Sequence, residues 1–133
     1  DNLFVGDGEF LKKAIVSFQD GARIFAKQVK DPHRFGVVDF KADKQVMSIE
    51  EKPYNPKSDY AVTGLYIFDN SVINKAKNIK PSDRGELEIT DVINLYLQED
   101  KLDVRIYEKY WLDTGTFDAL LEAGNKIAQL KNE

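Results

Sequence analysis

Four short segments carry residue types that packing alone does not ask for. Glu50-Glu51-Lys52-Pro53 closes an apolar run. A lysine at a strand end projects from the C-terminal edge of a sheet, where α/β proteins bind ligands, and it suits a phosphate as a point charge. Pro53 would hold Lys52 extended, because the residue before proline avoids the α region. A solvated charge cluster is the competing reading. Arg84-Gly-Glu-Leu-Glu-Ile-Thr-Asp91 runs from a loop into a helix. Arg84 fits bidentate phosphate binding, and Glu86 and Glu88 can accept sugar hydroxyls. Acids at the positive end of a helix dipole are the alternative, better for Glu88 and Asp91 than for Arg84.

Trp111-Leu-Asp113-Thr-Gly115 reads as a tight turn between a strand and a helix. Asp113 could ligate a hard cation such as Mg²⁺, which takes one or two carboxylates plus substrate phosphates. An Asx-type turn residue fits equally. Asp1 is a further carboxylate just before a strand. Gly64 lies inside the apolar run 60–68, where a glycine marks close approach by a ligand or another backbone, or plain packing. His33 sits in a turn and is assigned no catalysis.

The elements that position these residues follow from periodicity. Asn2–Val5 is a short strand. From Glu9, apolar residues at Phe10, Leu11, Ala14, Ile15 and Phe18 make a helical stripe, with Gly21 as its stop. Residues 22–29 read as a strand. Residues 36–41 and 45–51 read as two strands joined by a hairpin connection. Residues 60–68 have the length and β-branched content of a central strand. Asp69-Asn-Ser71 caps a short helix and Thr90 a second one. Residues 102–107 form a strand. Thr116 opens a last helix, with Phe117, Leu120, Leu121, Ile127 and Ala128 on its inner face. This order predicts a mixed α/β sheet with packed helices and a β-hairpin insertion.

Composition narrows the functions. With 133 residues, 42% hydrophobic and 32% charged, the chain can bury a real core as one domain. Cysteine is absent and histidine occurs once, which excludes thiolate chemistry, a disulfide framework and a multi-His metal site. The net charge is −4 without a basic run, so neither nucleic acid nor a membrane surface is expected as partner.

Taken in order, Asp1-Asn2, Asp31-Pro-His-Arg-Phe-Gly-Val-Val38, Glu50-Glu-Lys-Pro53, Tyr60-Ala-Val-Thr-Gly-Leu-Tyr66, Arg84 to Asp91 and Trp111-Leu-Asp-Thr-Gly-Thr116 are specific together. The series resembles the glucose-1-phosphate thymidylyltransferases, sugar-nucleotide pyrophosphorylases of the nucleotidyltransferase superfamily. The resemblance covers nearly the whole chain. It implies a mostly parallel, Rossmann-like mixed sheet. It implies transfer of a thymidylyl group from dTTP to glucose 1-phosphate, giving dTDP-glucose and pyrophosphate, with Mg²⁺ as cofactor. Residues 1–133 would be the C-terminal, sugar-phosphate-binding portion. Asp1 and Asp113 would match the metal-holding aspartates. Lys52 would match the lysine on the sugar's phosphate, and Arg84 an arginine near that phosphate. Glu51, Gly36 and Val62 would match the glucose-hydroxyl contacts, and Tyr66, Glu86 and Trp111 the walls of the sugar pocket. Phe35 departs from a tyrosine common at that place.

The resemblance also implies what is missing. The family's glycine-rich Gly-Gly-x-Gly-Thr-Arg-Leu-type loop, whose amides cradle a triphosphate, has no match here. An upstream segment of roughly 100 residues is therefore expected, and the 133-residue piece alone is expected to be inactive. A cytoplasmic location, a dTDP-rhamnose pathway and a homo-oligomer, favoured by unpaired strand edges, complete the expectation. The competing readings are a non-catalytic sugar-phosphate-binding module of the same fold, or a pyrophosphorylase using UTP, CTP or ATP.

Overall fold

The computed structural model describes residues 1–132. Its elements are β1 (Asn2–Val5), α1 (Gly8–Val16), β2 (Ala22–Gln28), a 3-10 turn (Pro32–Arg34), β3 (Gly36–Phe40), β4 (Val46–Glu51), β5 (Tyr60–Phe68), α2 (Val72–Asn78), α3 (Ile89–Gln98), β6 (Leu102–Ile106), β7 (Tyr110–Asp113) and α4 (Phe117–Leu130). Five strands form one sheet in the order β4-β3-β5-β2-β6, and β1 pairs with β7 in a two-stranded ribbon.

The mixed α/β class holds, but the expected balance of strand directions does not. Only β2 and β6 run parallel, while β2–β5, β3–β5 and β3–β4 are antiparallel. The reason is local. A tight turn after β3 reverses the chain into β4, and the helix-free loop 52–59 then carries it past β3 to β5, which lies antiparallel on the other side of β3, whereas the parallel neighbours β2 and β6 are joined by a long connection that holds α2 and α3.

Strand β5 is apolar because it lies inside the sheet, and its Ala61, Val62 and Thr63 are buried. One core layer joins Ile24, Ala26, Val38, Ile49 and Val62 to Ile93 of α3. A second packs Ala22 against Val92 and Tyr96. On α1, the Asp7 carboxylate accepts the Phe10 N–H at 3.0 Å as an N-cap. Phe10 then meets Phe25 edge-on, with ring centres 6.3 Å apart. Buried Tyr107 ties the ribbon to the sheet: its ring packs edge-on against Phe4 at 5.2 Å and its hydroxyl donates to the Val5 carbonyl at 3.1 Å.

Several local expectations are corrected. Helix α1 ends at Ser17, before Gly21. Gly21 serves close approach instead, since a Cβ there would lie 2.3 Å from the Lys101 carbonyl oxygen, and its φ is +78°. Ser71 starts α2 without a side-chain cap bond. Its hydroxyl donates to Asp69 Oδ1 at 2.5 Å. Thr90 is not a cap but lies inside α3, whose first flanking residue is Glu88. Residues 110–113 are strand, not turn, because β1 supplies the pairing partner Trp111 needs (Phe4↔Trp111). On α4, Ala123 is the buried residue, whereas Phe117 (92% exposed), Leu120 and Leu121 face outward.

Candidate active site

A pocket of about 210 Å³ opens where the ribbon, the start of β3, the end of β4, the middle of β5 and the start of α3 meet. Among the expected site residues, Phe35, Gly36, Glu51, Val62, Tyr66, Trp111 and Asp113 line it. The structure adds Asn2, Arg34, Gly64, Ile89 and Thr90.

The floor is built around Gly36. Strand pairing sets Gly36 opposite Glu51. The Thr90 hydroxyl, from α3, donates to Glu51 Oε2 at 2.6 Å. A Cβ on Gly36 would lie 3.3 Å from Thr90 Oγ1, 3.4 Å from Glu51 Oε2 and 3.5 Å from a Val62 methyl. Glycine there lets a carboxylate, a hydroxyl and the backbone converge. Burial, and then the Glu51 charge, push the Tyr66 phenol above its ordinary pKa, so it stays a protonated hydrogen-bond donor. Phe35 and Trp111 form an aromatic wall, edge to face with ring centres 5.3 Å apart.

Asn2 joins the ribbon to the sheet. Its Oδ1 accepts the Gly64 N–H at 2.9 Å and the Trp111 indole N–H at 2.7 Å. A Cβ at Gly64 would fall 2.1 Å from Asn2 Nδ2. The close approach expected at Gly64 is therefore made by a side chain 62 residues away.

Asp113 makes the turn contact that one of its two readings expects, and an ion pair besides. Oδ1 accepts the Gly115 N–H at 3.1 Å, as in an Asx turn. Oδ2 accepts from Arg34 Nη2 at 3.1 Å. Asp1 stands beside it, its carbonyl accepting the Thr114 N–H at 2.7 Å. Asp113 Oδ1 and Asp1 Oδ2 both come within 4 Å of the point where a Gly115 Cβ would sit. Two hard oxygen donors thus converge over one glycine, a donor set that suits Mg²⁺. Among the described residues, no group of three or more His, Cys, Asp or Glu is placed to hold a metal.

Besides Asp1, three expected residues stand apart from the pocket lining. Lys52 is exposed at its rim and is not extended: φ is +41°, in the left-handed region. Its N–H bonds the Phe35 carbonyl at 3.0 Å, closing the β3–β4 pairing just as the chain turns away. Such a conformation costs of order 1 kcal/mol in a non-glycine residue. Arg84 is held by Glu86 and, at 3.2 Å, by Glu88, so Glu86 points to Arg84 rather than into the pocket. The Glu86 hydrogen bond raises the Arg84 pKa further. Glu88 also accepts from Ser82 Oγ at 3.0 Å.

Arg34 and Thr90 lie inside the motifs Asp31–Val38 and Arg84–Asp91, but the sequence assigns neither a role in the site, and Thr90 reads there only as a helix cap. Among the described residues, no helix is long and apolar enough to cross a membrane.

Known proteins resemble this chain in sequence and in fold. The profile of the nucleotidyl transferase family matches residues 2–130. The glucose-1-phosphate thymidylyltransferase of Neisseria meningitidis is 48% identical over 136 residues, covering 99% of this chain and 47% of that protein. That of Mycobacterium tuberculosis is 47% identical over 135 residues, covering 98% and 46%. The chain thus spans about half the length of the curated relatives it matches. A Bacillus anthracis protein assigned as a glucose-1-phosphate thymidylyltransferase, solved in complex with sucrose, superposes with a TM-score of 0.80 at 41% identity, over 92% of this chain and 50% of that one. A UDP-glucose pyrophosphorylase complexed with UDP-glucose reaches 0.81 at 19% identity over 99% of this chain and 54% of that one, a likeness of fold.

Proposed function

The chain belongs to the nucleotidyl transferase family, and on that premise we propose that it forms the sugar-phosphate side of a glucose-1-phosphate thymidylyltransferase. In the proposed reaction a phosphate oxygen of α-D-glucose 1-phosphate attacks the α-phosphorus of dTTP. The new P–O bond gives dTDP-glucose, and the broken one releases pyrophosphate. No covalent enzyme intermediate is needed, so the protein's work is positioning and charge neutralisation.

The convergence of Glu51 and Thr90 on Gly36 carries this reading. A carboxylate oxygen and a hydroxyl meet against bare backbone, in the pocket that the Phe35–Trp111 pair also lines. Such a site accepts hydrogen bonds from sugar hydroxyls on one side and packs the apolar face of a ring on the other. Tyr66 adds a donor. At the rim, Lys52 offers a point charge for the sugar's phosphate. Arg84 would exchange the Glu86 carboxylate for that phosphate without losing a charge-assisted contact. Asp1 and Asp113 would hold Mg²⁺, which would supply positive charge against the phosphates. The product would feed dTDP-rhamnose synthesis in the cytoplasm, and the working enzyme would be a homo-oligomer.

Calorimetric titration of the chain with glucose 1-phosphate and dTDP-glucose tests the reading. Binding of both is expected, lost in Lys52→Ala and weakened roughly tenfold or more in Glu51→Gln, the range for a hydrogen bond to a charged group. Pyrophosphate release from dTTP is not expected, because the sequence lacks a glycine-rich triphosphate loop. Absence of binding at millimolar ligand, or binding indifferent to both substitutions, would overturn the proposal.

A further inference from the structure

Asp113 spends its two carboxylate oxygens in opposite directions. Oδ1 accepts the Gly115 N–H and lies toward Asp1. Oδ2 is taken by Arg34 Nη2 at 3.1 Å. The guanidinium does not reach Asp113 as a loose surface charge. Its Nη1 donates to Asp31 Oδ2 at 2.8 Å, and its central carbon lies 5.2 Å from the Phe35 ring centre. Phe35 in turn packs on Trp111, two residues before Asp113. The fork is therefore fixed from the 3-10 turn, and it fixes the Asp113 rotamer in turn.

A guanidinium seated on Oδ2 leaves Asp113 one oxygen to offer on the Asp1 side. Divalent cations differ in how they use a carboxylate. Mg²⁺ keeps strict octahedral geometry and holds several waters, so one oxygen per carboxylate serves it. Ca²⁺ takes six to eight oxygens at longer distance and readily binds a carboxylate through both. We propose that Arg34 is a specificity-determining residue that keeps Asp113 a one-oxygen ligand and so biases the site toward small octahedral dications over Ca²⁺. This rests on the reading of Asp1 and Asp113 as the cation-holding pair. The positive charge of Arg34 opposes every dication to a similar extent. The ratio of affinities, rather than either affinity, therefore carries the proposal.

The test is a Mn²⁺ titration of the full chain followed by electron paramagnetic resonance, with Mg²⁺ and Ca²⁺ as competitors and no nucleotide or turnover. In Arg34→Gln the Ca²⁺-to-Mg²⁺ affinity ratio is expected to rise by about tenfold, equivalent to ~1.4 kcal/mol for a newly available ligating oxygen. Arg34→Lys keeps the charge but cannot span Asp31 and Asp113 with a fork, so it is expected to move the ratio the same way by less. It also covers the case in which the Gln variant folds poorly. If Asp113→Asn abolishes Mn²⁺ binding while both Arg34 variants keep the wild-type ratio, the role of Arg34 is overturned and the cation pair stands. If Asp113→Asn binds Mn²⁺ like the wild type, the cation pair itself fails and the inference with it.

Discussion

The Thr90 hydroxyl and Glu51 Oε2 lie 2.6 Å apart, joined across 39 residues of sequence and pressed together against the bare backbone of Gly36. The bond links the end of an edge strand to the first turn of α3. It also aims a carboxylate into the pocket, so fold and candidate chemistry share one contact.

Gly36→Ala places a methyl 3.3–3.5 Å from Thr90, Glu51 and Val62. The Thr90 contact is the one tighter than ordinary, and Thr90 must give by a few tenths of an ångström. The strand tolerates this at a cost of about 1 kcal/mol, because β-sheet backbone accepts alanine, but the polar floor of the pocket is covered. A chemical-denaturation midpoint close to wild type, together with glucose 1-phosphate binding weakened at least roughly tenfold (~1.4 kcal/mol), is the expected pair of results.

Gly64→Ala is expected to behave differently. Its methyl would overlap the Asn2 amide at 2.1 Å, so Asn2 must leave its bonds to Gly64 and Trp111. The loss should be about 2 kcal/mol of stability, from displaced packing and a stranded indole N–H. Trp111 fluorescence should shift in the folded state, reporting the freed indole. A variant with wild-type fluorescence and midpoint would show that the ribbon does not depend on Asn2.

Asp69 sets an acid limb. Its carboxylate accepts from the Ser71 hydroxyl, the Gly21 N–H at 2.8 Å and the Tyr96 hydroxyl at 2.9 Å. The Ser71 bond first, and then the Gly21 bond, hold its pKa well below the usual carboxylate range. With the folded pKa depressed, Asp69 adds stability above its unfolded pKa of about 3.9, and that stability is lost as the pH falls below ~4. Asp69→Asn should lower stability at pH 7 by about 1–3 kcal/mol. It should also flatten the fall between neutral pH and pH 3, measured by urea denaturation at each pH.

The β3–β4 turn carries a removable strain. Lys44 holds φ at +67°, while Asp43 Oδ1 accepts the Gln45 N–H at 3.1 Å. Lys44→Gly is expected to raise stability by about 0.5–1 kcal/mol, because glycine adopts this region without Cβ strain. An unchanged or lower thermal midpoint would contradict it.

The strands β2 to β6 were legible because each carries a run of apolar or β-branched residues bounded by turn formers. Residues 60–68 matched the strand to the residue. Strand β7 was not legible: its four residues hold charge and glycine neighbours, and their strand state comes from β1 across more than a hundred residues. The exposed Phe117, Leu120 and Leu121 misled in the opposite sense, since an apolar stripe states a preference for burial and not what lies against it. The resemblance in the motifs located Glu51, Gly36, Val62, Tyr66, Trp111 and Asp113, and all of them meet in one pocket. It placed Glu86 in that pocket too, and the local charge of Arg84 holds it elsewhere.

Composition, turn residues and periodicity decided the class of this chain, because they are local and repeat within a few residues. Motif order decided its family, because each motif is a short run read directly along the chain. The partners of those motifs were decided only by folding. Asn2 on Gly64, Thr90 on Glu51 and Arg34 on Asp113 are contacts between elements far apart in the chain. Strand pairing and helix packing choose them, and a hydrogen bond needs its donor and acceptor within about 3 Å, whatever the sequence distance between them.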